Sequence, residues 1–531
     1  MRILLFCLLA FATAIPTSSC KKESKDKGAE LVGKAAKSGA SRPIAMSSVV
    51  MATVQMPTGT KLEGLAKAID NIQPGASAAI VPSVSMLLAK TMGMDLSGAD
   101  LGAPIALLVV NPQTYSKPIA MLVSAADKAK LESAAKAAGL AVASKKDLVL
   151  IGEASVVEAV RDVAFQTLSQ TSQELVVRIF PGSVLAGFKD DLHEAFQTMT
   201  TLMTKTSGQA SGVSAMLLAY EEMIVAIGDQ TDVIEMRVAA SDGASDFLFR
   251  MQPKAGTTMA ALAQAQIPSK HALLGKLPQN TSGSILFSGD MRAGKARQPM
   301  IDFSMKVMSV MMPAKGNEVL TKALTTWFES FDGQMAVNMN MDMGNTQVPK
   351  FEATYLMGAT DAAVMRKGWR EMMVHMSSEN GGTTEMMGMK FDIEFEEKVL
   401  EVDGVEVDRY QTKLNTDGMS KEDQALSIAP GVEQKMHMAT FDDLAVMSLS
   451  DNSEAAVSSA IAAARGKAPG YKPEGATAKA LARSKSLNES LIFTLDIGRL
   501  APTGVAIPFG TIAMGFGQDK GALTMRISVR K

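Results

Sequence analysis

The stretch KVLEVDGVEVDRY, Lys398 to Tyr410, decides how the chain folds. Leu400 and Val402 lead into Asp403-Gly404, and Val405 and Val407 lead out of it. Apolar residues alternating about a two-residue turn of this type predict a β-hairpin, because the turn needs φ > 0 at both central positions and Asp-Gly tolerates it. Working outward, MAVNMNMDM places Met335, Val337, Met339, Met341 and Met343 at every second position, between Ala336, Asn338, Asn340 and Asp342. That period predicts a half-buried strand with one wet face. Ile301, Met305, Met308 and Met312 recur instead at helical spacing until Pro313 stops them. Strands that come as hairpins, and not singly between helices, point to an antiparallel α+β architecture over a doubly wound parallel sheet.

Compared with itself, the chain repeats. QELVVRIF (Gln173 to Phe180) corresponds to NESLIFTL (Asn488 to Leu495), and DLVLIGEASVVEAV (Asp147 to Val160) to DLAVMSLSDNSEAAV (Asp443 to Val457). PIAMLVSAAD (Pro118 to Asp127) and PKFEATYLMGATD (Pro349 to Asp361) each run as a strand into an aspartate able to cap the next helix. IGDQTDVIEMRV (Ile227 to Val238) matches FGQDKGALTMRI (Phe516 to Ile527), with Gly228 or Gly517 expected to open a turn before Met236-Arg237 or Met525-Arg526. The pieces keep one order in both halves, which predicts two tandem pseudo-repeat units over 44–265 and 270–531. Each is expected to hold a strand, a capped helix, a hairpin, a second helix, a strand and a closing hairpin. In this pattern the body resembles an uncharacterised, duplicated α+β domain family of exported bacterial proteins; its function is unknown, so the resemblance implies no activity.

The first 19 residues read as a signal. Arg2 supplies a positive start, and Ile3 to Ala14 is an apolar run well short of the ~20 residues that span a bilayer. Thr17, Ser18 and Ser19 lead into Cys20, an arrangement that resembles the bacterial lipoprotein signal, in which the cysteine is acylated and becomes the new N-terminus. The alternative is an ordinary secretory signal cut near Ser19. The only other cysteine, Cys7, lies inside the apolar run, so a chain beginning at Cys20 has no disulfide partner for it. Lipid explains that lone residue better than a stray thiol does, since several acyl chains give stable anchoring.

Residues 20–43 are then a lipidated cysteine and a disordered tether with almost nothing to bury, reaching about 25 Å as a flexible coil. These features place the protein in the cell envelope, held to a membrane by its N-terminal lipid, on the outer membrane at its periplasmic or surface side. The chain carries 53 basic and 55 acidic residues, too balanced a charge to suggest nucleic acid or an anionic surface as partner.

Motifs for chemistry are sparse. Gly289, Gly294 and Lys295 in SILFSGDMRAGKARQP have the spacing of a phosphate loop. However, Ala296 stands where a hydroxyl should hold magnesium, Asp290 repels phosphate, and Pro299 interrupts the receiving helix; no nucleotide is expected. His193, His271, His375 and His437 are scattered singly, without the pairing of a zinc site, and no nucleophile elbow occurs. Asp392, Glu394 and Glu396 share a strand face opposite Ile393 and Phe395. They could hold a cation or serve acid/base chemistry, though a solvated face is the simpler reading.

Methionine is the one excess, with 39 against two tryptophans and five tyrosines. Thioethers fill irregular cores, make adaptable surfaces for greasy partners, and ligate copper(I). Met305, Met308, Met312, Met339, Met341 and Met343 are therefore the candidate face for an apolar ligand. The expectation is a non-enzymatic envelope protein without cofactor that binds an apolar ligand or an envelope protein, or acts as a scaffold. A methionine-rich copper(I)-binding protein is the alternative, and a hydrolase using the acidic strand a more distant one.

Overall fold

The computed structural model describes residues 49–56, 66, 70, 83–167, 175–207, 210–241, 244–279, 285–290, 317–342, 350–378, 383–386, 389–415, 433–450, 452–497 and 510–530. They combine helices with extensive antiparallel sheet, as the hairpin pattern predicts, and separate into two compact bodies. One comprises the described residues within 49–192, 227–260 and 521–530, the other those within 193–226 and 261–520.

The N-terminal half runs β1 (Val50–Met56), α1 (Ser83–Met92), β2 (Ile105–Val110), β3 (Ile119–Ser124), α2 (Lys128–Ala137), β4 (Ala141–Lys145), β5 (Leu148–Gly152) and α3 (Ala154–Thr167). It continues through β6 (Leu175–Ile179), α4 (Pro181–Ser207), α5 (Ala210–Gln230), β7 (Thr231–Ser241), β8 (Ala244–Pro253) and α6 (Thr258–Ala265). The second half holds a 3-10 turn (Ala272–Lys276), β9 (Ile285–Asp290), α7 (Asn317–Ser330), β10 (Phe331–Asp342), β11 (Lys350–Ala359), α8 (Ala362–Ser378), β12 (Thr383–Met386), β13 (Met389–Val402) and β14 (Val405–Asn415). Then come β15 (Glu433–Phe441), β16 (Leu444–Leu449), α9 (Ser453–Ala464), α10 (Gly475–Ser486), β17 (Glu489–Asp496), β18 (Thr511–Asp519) and β19 (Ala522–Arg530).

In the first body the strands pair antiparallel in the order β4-β5-β3-β2-β1-β6-β7-β8-β19. Leu131 and Ala135 of α2 cover one face, packed with Met121, Val123, Val149 and Ile151. Val156, Val160 and Ala164 of α3 cover the other, against Leu108, Leu122 and Leu150. Burial on both faces explains why IALLVV and LVLIG read as nearly continuous apolar runs. Asp127 caps α2 by accepting from the Lys130 N–H at 3.0 Å.

The second body orders its strands β12-β13-β14-β15-β16-β11-β10-β9-β17-β18, all antiparallel. The Asp403-Gly404 turn has φ of +53° and +78°, and Val402 faces Val405 while Leu400 faces Val407. Asp361 accepts from the Ala363 and Val364 N–H groups at the start of α8, both at 3.0 Å.

Two expectations are corrected. The strand around Met335 has no wet face there, because Ala336 belongs to a core built with α9 and α10 while Met335 packs into a second core with α8; Asn338 is only 4% exposed. Helices cover both sides of the sheet, and the alternation of methionine with alanine and asparagine does not reveal the second layer. Gly228 and Gly517 open no turn either, since Gly228 lies in the last turns of α5 and Gly517 inside β18. Gly289 is likewise a strand residue of β9. A Cβ there would overlap Leu491 and the Ser490 carbonyl on neighbouring β17, so that glycine serves strand packing.

Candidate functional site

A cleft of about 360 Å³ opens in the second body between the 3-10 turn and α10. Leu274, Tyr471, Pro473, Ala478, Leu481 and Ala482 give it an apolar wall, and His271 and Lys485 are its basic members. The wall continues the core, because Leu274 and Leu481 are both buried in the α9–α10 cluster. The segment after α9 is drawn tightly over the 3-10 turn: the Tyr471 N–H donates to the Leu277 carbonyl at 2.7 Å, and Pro278 bridges Gly470. A side chain at Gly470 would collide with the Gly275 carbonyl, so the close approach that shapes this end of the cleft requires glycine.

His271 occupies the left-handed region, with φ 52° and ψ 37°. Non-glycine residues rarely adopt this conformation, and it is held here by the Ser269 hydroxyl accepting the His271 N–H at 3.0 Å. The ring is buried, its Nδ1 lies 3.2 Å from the Ser288 hydroxyl, and Nε2 has no partner among the described residues. Burial pushes its pKa down to about 4, and the Lys485 ammonium adds to the effect. The imidazole is therefore neutral at pH 7.

Because an unfolded histidine takes up its proton near 6.5 and the folded one only near 4, the unfolded chain binds more protons between those values. Stability from this residue is complete above about pH 6.5 and falls as the pH drops toward 4. Chemical denaturation at pH 7 and pH 5 should show the loss, and His271→Gln should flatten it; an unchanged slope in that variant would contradict the assignment.

His193 and His437 each have a partner elsewhere in the described structure. His193 on α4 pairs with Glu221 on α5 at 2.7 Å, an exposed helix-to-helix contact. His437 accepts or donates to the Ser453 hydroxyl at 2.8 Å, with Glu454 4.0 Å from Nε2. This resembles a serine, histidine and carboxylate set, but His437 is 1% and Ser453 2% exposed, which leaves no room for a substrate. Among the described residues no group of three or more His, Cys, Asp or Glu is placed to hold a metal ion. Glu394 and Glu396 are exposed beside buried Ile393, and Glu396 pairs with Arg409 at 2.7 Å. Glu394 and Glu396 thus face solvent, while Asp392 is half-buried.

Of the residues singled out from sequence, Met339 is half-buried on β10. Met341 belongs to the same strand, while its side chain, together with Met343, Met305, Met308, Met312 and Cys20, lies outside the described residues. The register of β10 on β11 is unbroken from Met335 to Asp342, so same-face neighbours stay ~6.5–7 Å apart along the strand, with no bulge to converge them. A different group of methionines, Met357, Met365, Met373 and Met438, is buried with Trp369 between α8 and the sheet. Among the described residues no helix is long and apolar enough to cross a membrane.

No protein-family model, curated protein or solved structure matches the chain.

Proposed function

We propose that the protein is a lipid-anchored component of the bacterial cell envelope, non-enzymatic, whose duplicated α+β body binds an apolar ligand. The observation that carries the ligand is the largely apolar cleft at His271, Leu274 and Leu481. Anchoring is supported by the run from Ile3 to Ala14 followed by Cys20.

Duplication is supported by strand order. The series β4-β5-β3-β2-β1-β6-β7 of the first body has the same sequence of connections as β15-β16-β11-β10-β9-β17-β18 of the second. In both series the aspartate-capped helix follows the third strand of the unit, at Asp127 and Asp361. Both also contain a two-residue hairpin turn entered through a left-handed residue, Lys146 or Asp442. The meander β12–β14 is then an insertion between α8 and β15. On this reading β7 corresponds to β18, so the Ile227–Val238 match to Phe516–Ile527 slips by one strand: Met236 lies on β7 but Met525 on β19.

Cys20→Ser tests the anchor. The native protein should remain with membranes through a high-salt wash and enter a detergent phase, and the variant should move wholly to the soluble fraction. A variant that still partitions with washed membranes would remove the lipid from the proposal.

A further inference from the structure

The cleft bounded by His271 and Lys485 is apolar along its wall and basic at two positions, which selects among apolar ligands. Leu274, Pro473, Ala478 and Leu481 offer nothing to a sugar or a peptide backbone that would need several hydrogen bonds. Among the described residues the Lys485 ammonium has no ion-pair partner, and it is exposed on α10 at the lining of the cleft. His271, which lines the same cleft, is 6% exposed and carries a ring nitrogen without a partner in a left-handed backbone position. Unpartnered buried polar atoms and strained residues are rare, and where they border a cavity they point to a ligand that completes them. A cavity of about 360 Å³ lies at the small end of the usual range for ligand sites, ~300–1,000 Å³.

We propose that this cleft binds a small aliphatic carboxylate, with its chain against Leu274, Ala478 and Leu481 and its carboxylate at the Lys485 end, beside the His271 imidazole. This deepens the apolar-ligand reading and rests on it. A single ammonium matches the single charge of a carboxylate. A phosphate ester, with its greater charge, would call for more donors than the cleft presents. When the Ser288 hydroxyl donates to Nδ1, the neutral ring carries its proton on Nε2.

Octanoate and octanol, titrated calorimetrically into the full-length chain, form the test. Octanoate should bind saturably and at least tenfold more tightly than octanol. Lys485→Gln should weaken octanoate at least tenfold and leave octanol unchanged. Ala482→Trp, at an exposed position of α10 that lines the cleft, should abolish binding of both while the chain stays folded by circular dichroism. Equal binding of acid and alcohol, unaffected by Lys485→Gln, overturns the carboxylate and leaves an apolar ligand standing. Binding of neither probe overturns both readings at this cleft, and binding that survives Ala482→Trp places the ligand elsewhere and overturns the assignment.

Discussion

Asp408→Asn is expected to cost about 3–5 kcal/mol of stability, because it removes the charge on which two arginines converge while leaving those arginines in place. Asp408 is 1% exposed on β14. Arg366 of α8 donates to it from Nε and Nη2 at 3.0 and 2.8 Å, and Arg370, one turn on, from Nε and Nη2 at 2.8 and 2.7 Å. The Lys398 N–H adds a fifth bond at 3.0 Å, from a bulge where φ is +55° and the β13–β14 register shifts. One carboxylate thus fastens a helix to a sheet and fixes the bulge beside it. Asparagine keeps the shape but turns an NH2 group toward donors. Urea denaturation measures the loss. A change below about 1 kcal/mol would show that Asp408 does not hold α8, whereas Glu397→Gln, at the solvent rim of the same network, should stay within that limit.

The same carboxylate sets an acid limit. Burial pushes the Asp408 carboxyl up, but the hydrogen bonds from Arg370, Arg366 and Lys398 outweigh it and hold the pKa at about 2, against 3.8 in the unfolded chain. A depressed carboxyl stabilises the folded state fully above its unfolded value, and that contribution disappears as the pH falls through the folded one. The second body should therefore lose stability between about pH 4 and pH 2, and Asp408→Asn should remove that part of the acid transition.

How far the sequence reveals this architecture depends on the range of the interaction. The Asp403-Gly404 hairpin is local, since two residues and their alternating flanks suffice, and the turn has the two positive φ values it requires. Asp127 and Asp361 are local too, each reaching a backbone N–H two or three residues ahead. Layering is not local. Asn338 reads as a wet-face residue and is buried, because the second helical layer comes from α9 and α10, far along the chain. Under the proposed duplication, the slip of the Met236 and Met525 match has the same origin: β7 and β19 have similar alternating patterns, and only pairing partners distinguish them.

The candidate cleft was illegible for a related reason. His271 stands alone in sequence, and neither its left-handed backbone nor its approach to the segment containing Tyr471 and Lys485 leaves a spacing signal. The clamp on Asp408 left half a signal, since Arg366 and Arg370 are one helical turn apart, but their partner sits on β14, the last strand of the β12–β14 meander that follows the helix. Methionine abundance was visible at once and ambiguous, because a thioether looks the same in a core, a groove or a metal site.

Met365 separates packing from ligation in the described methionine cluster. It is 0% exposed on α8, beside Trp369 and against Met357, Met438 and Ala445 of the sheet. If it fills space, Met365→Ala leaves a cavity and should cost about 2–5 kcal/mol, whereas Met365→Leu nearly conserves volume and should cost less than about 1.5 kcal/mol. The chain's two tryptophans, Trp327 and Trp369, both border this cluster, and Trp327 stacks on Phe331 with ring centroids 5.8 Å apart. Tryptophan emission, excited selectively over the five tyrosines, therefore reports on this core, and it should change cooperatively with the far-ultraviolet signal in urea. A soft-metal role would show in metal binding instead, which both variants would lose equally because leucine lacks sulfur as completely as alanine does. Equal destabilisation by leucine and alanine would instead mean that the sulfur itself matters to the fold, through its contacts with the neighbouring rings, and that shape alone does not explain why methionine was placed there.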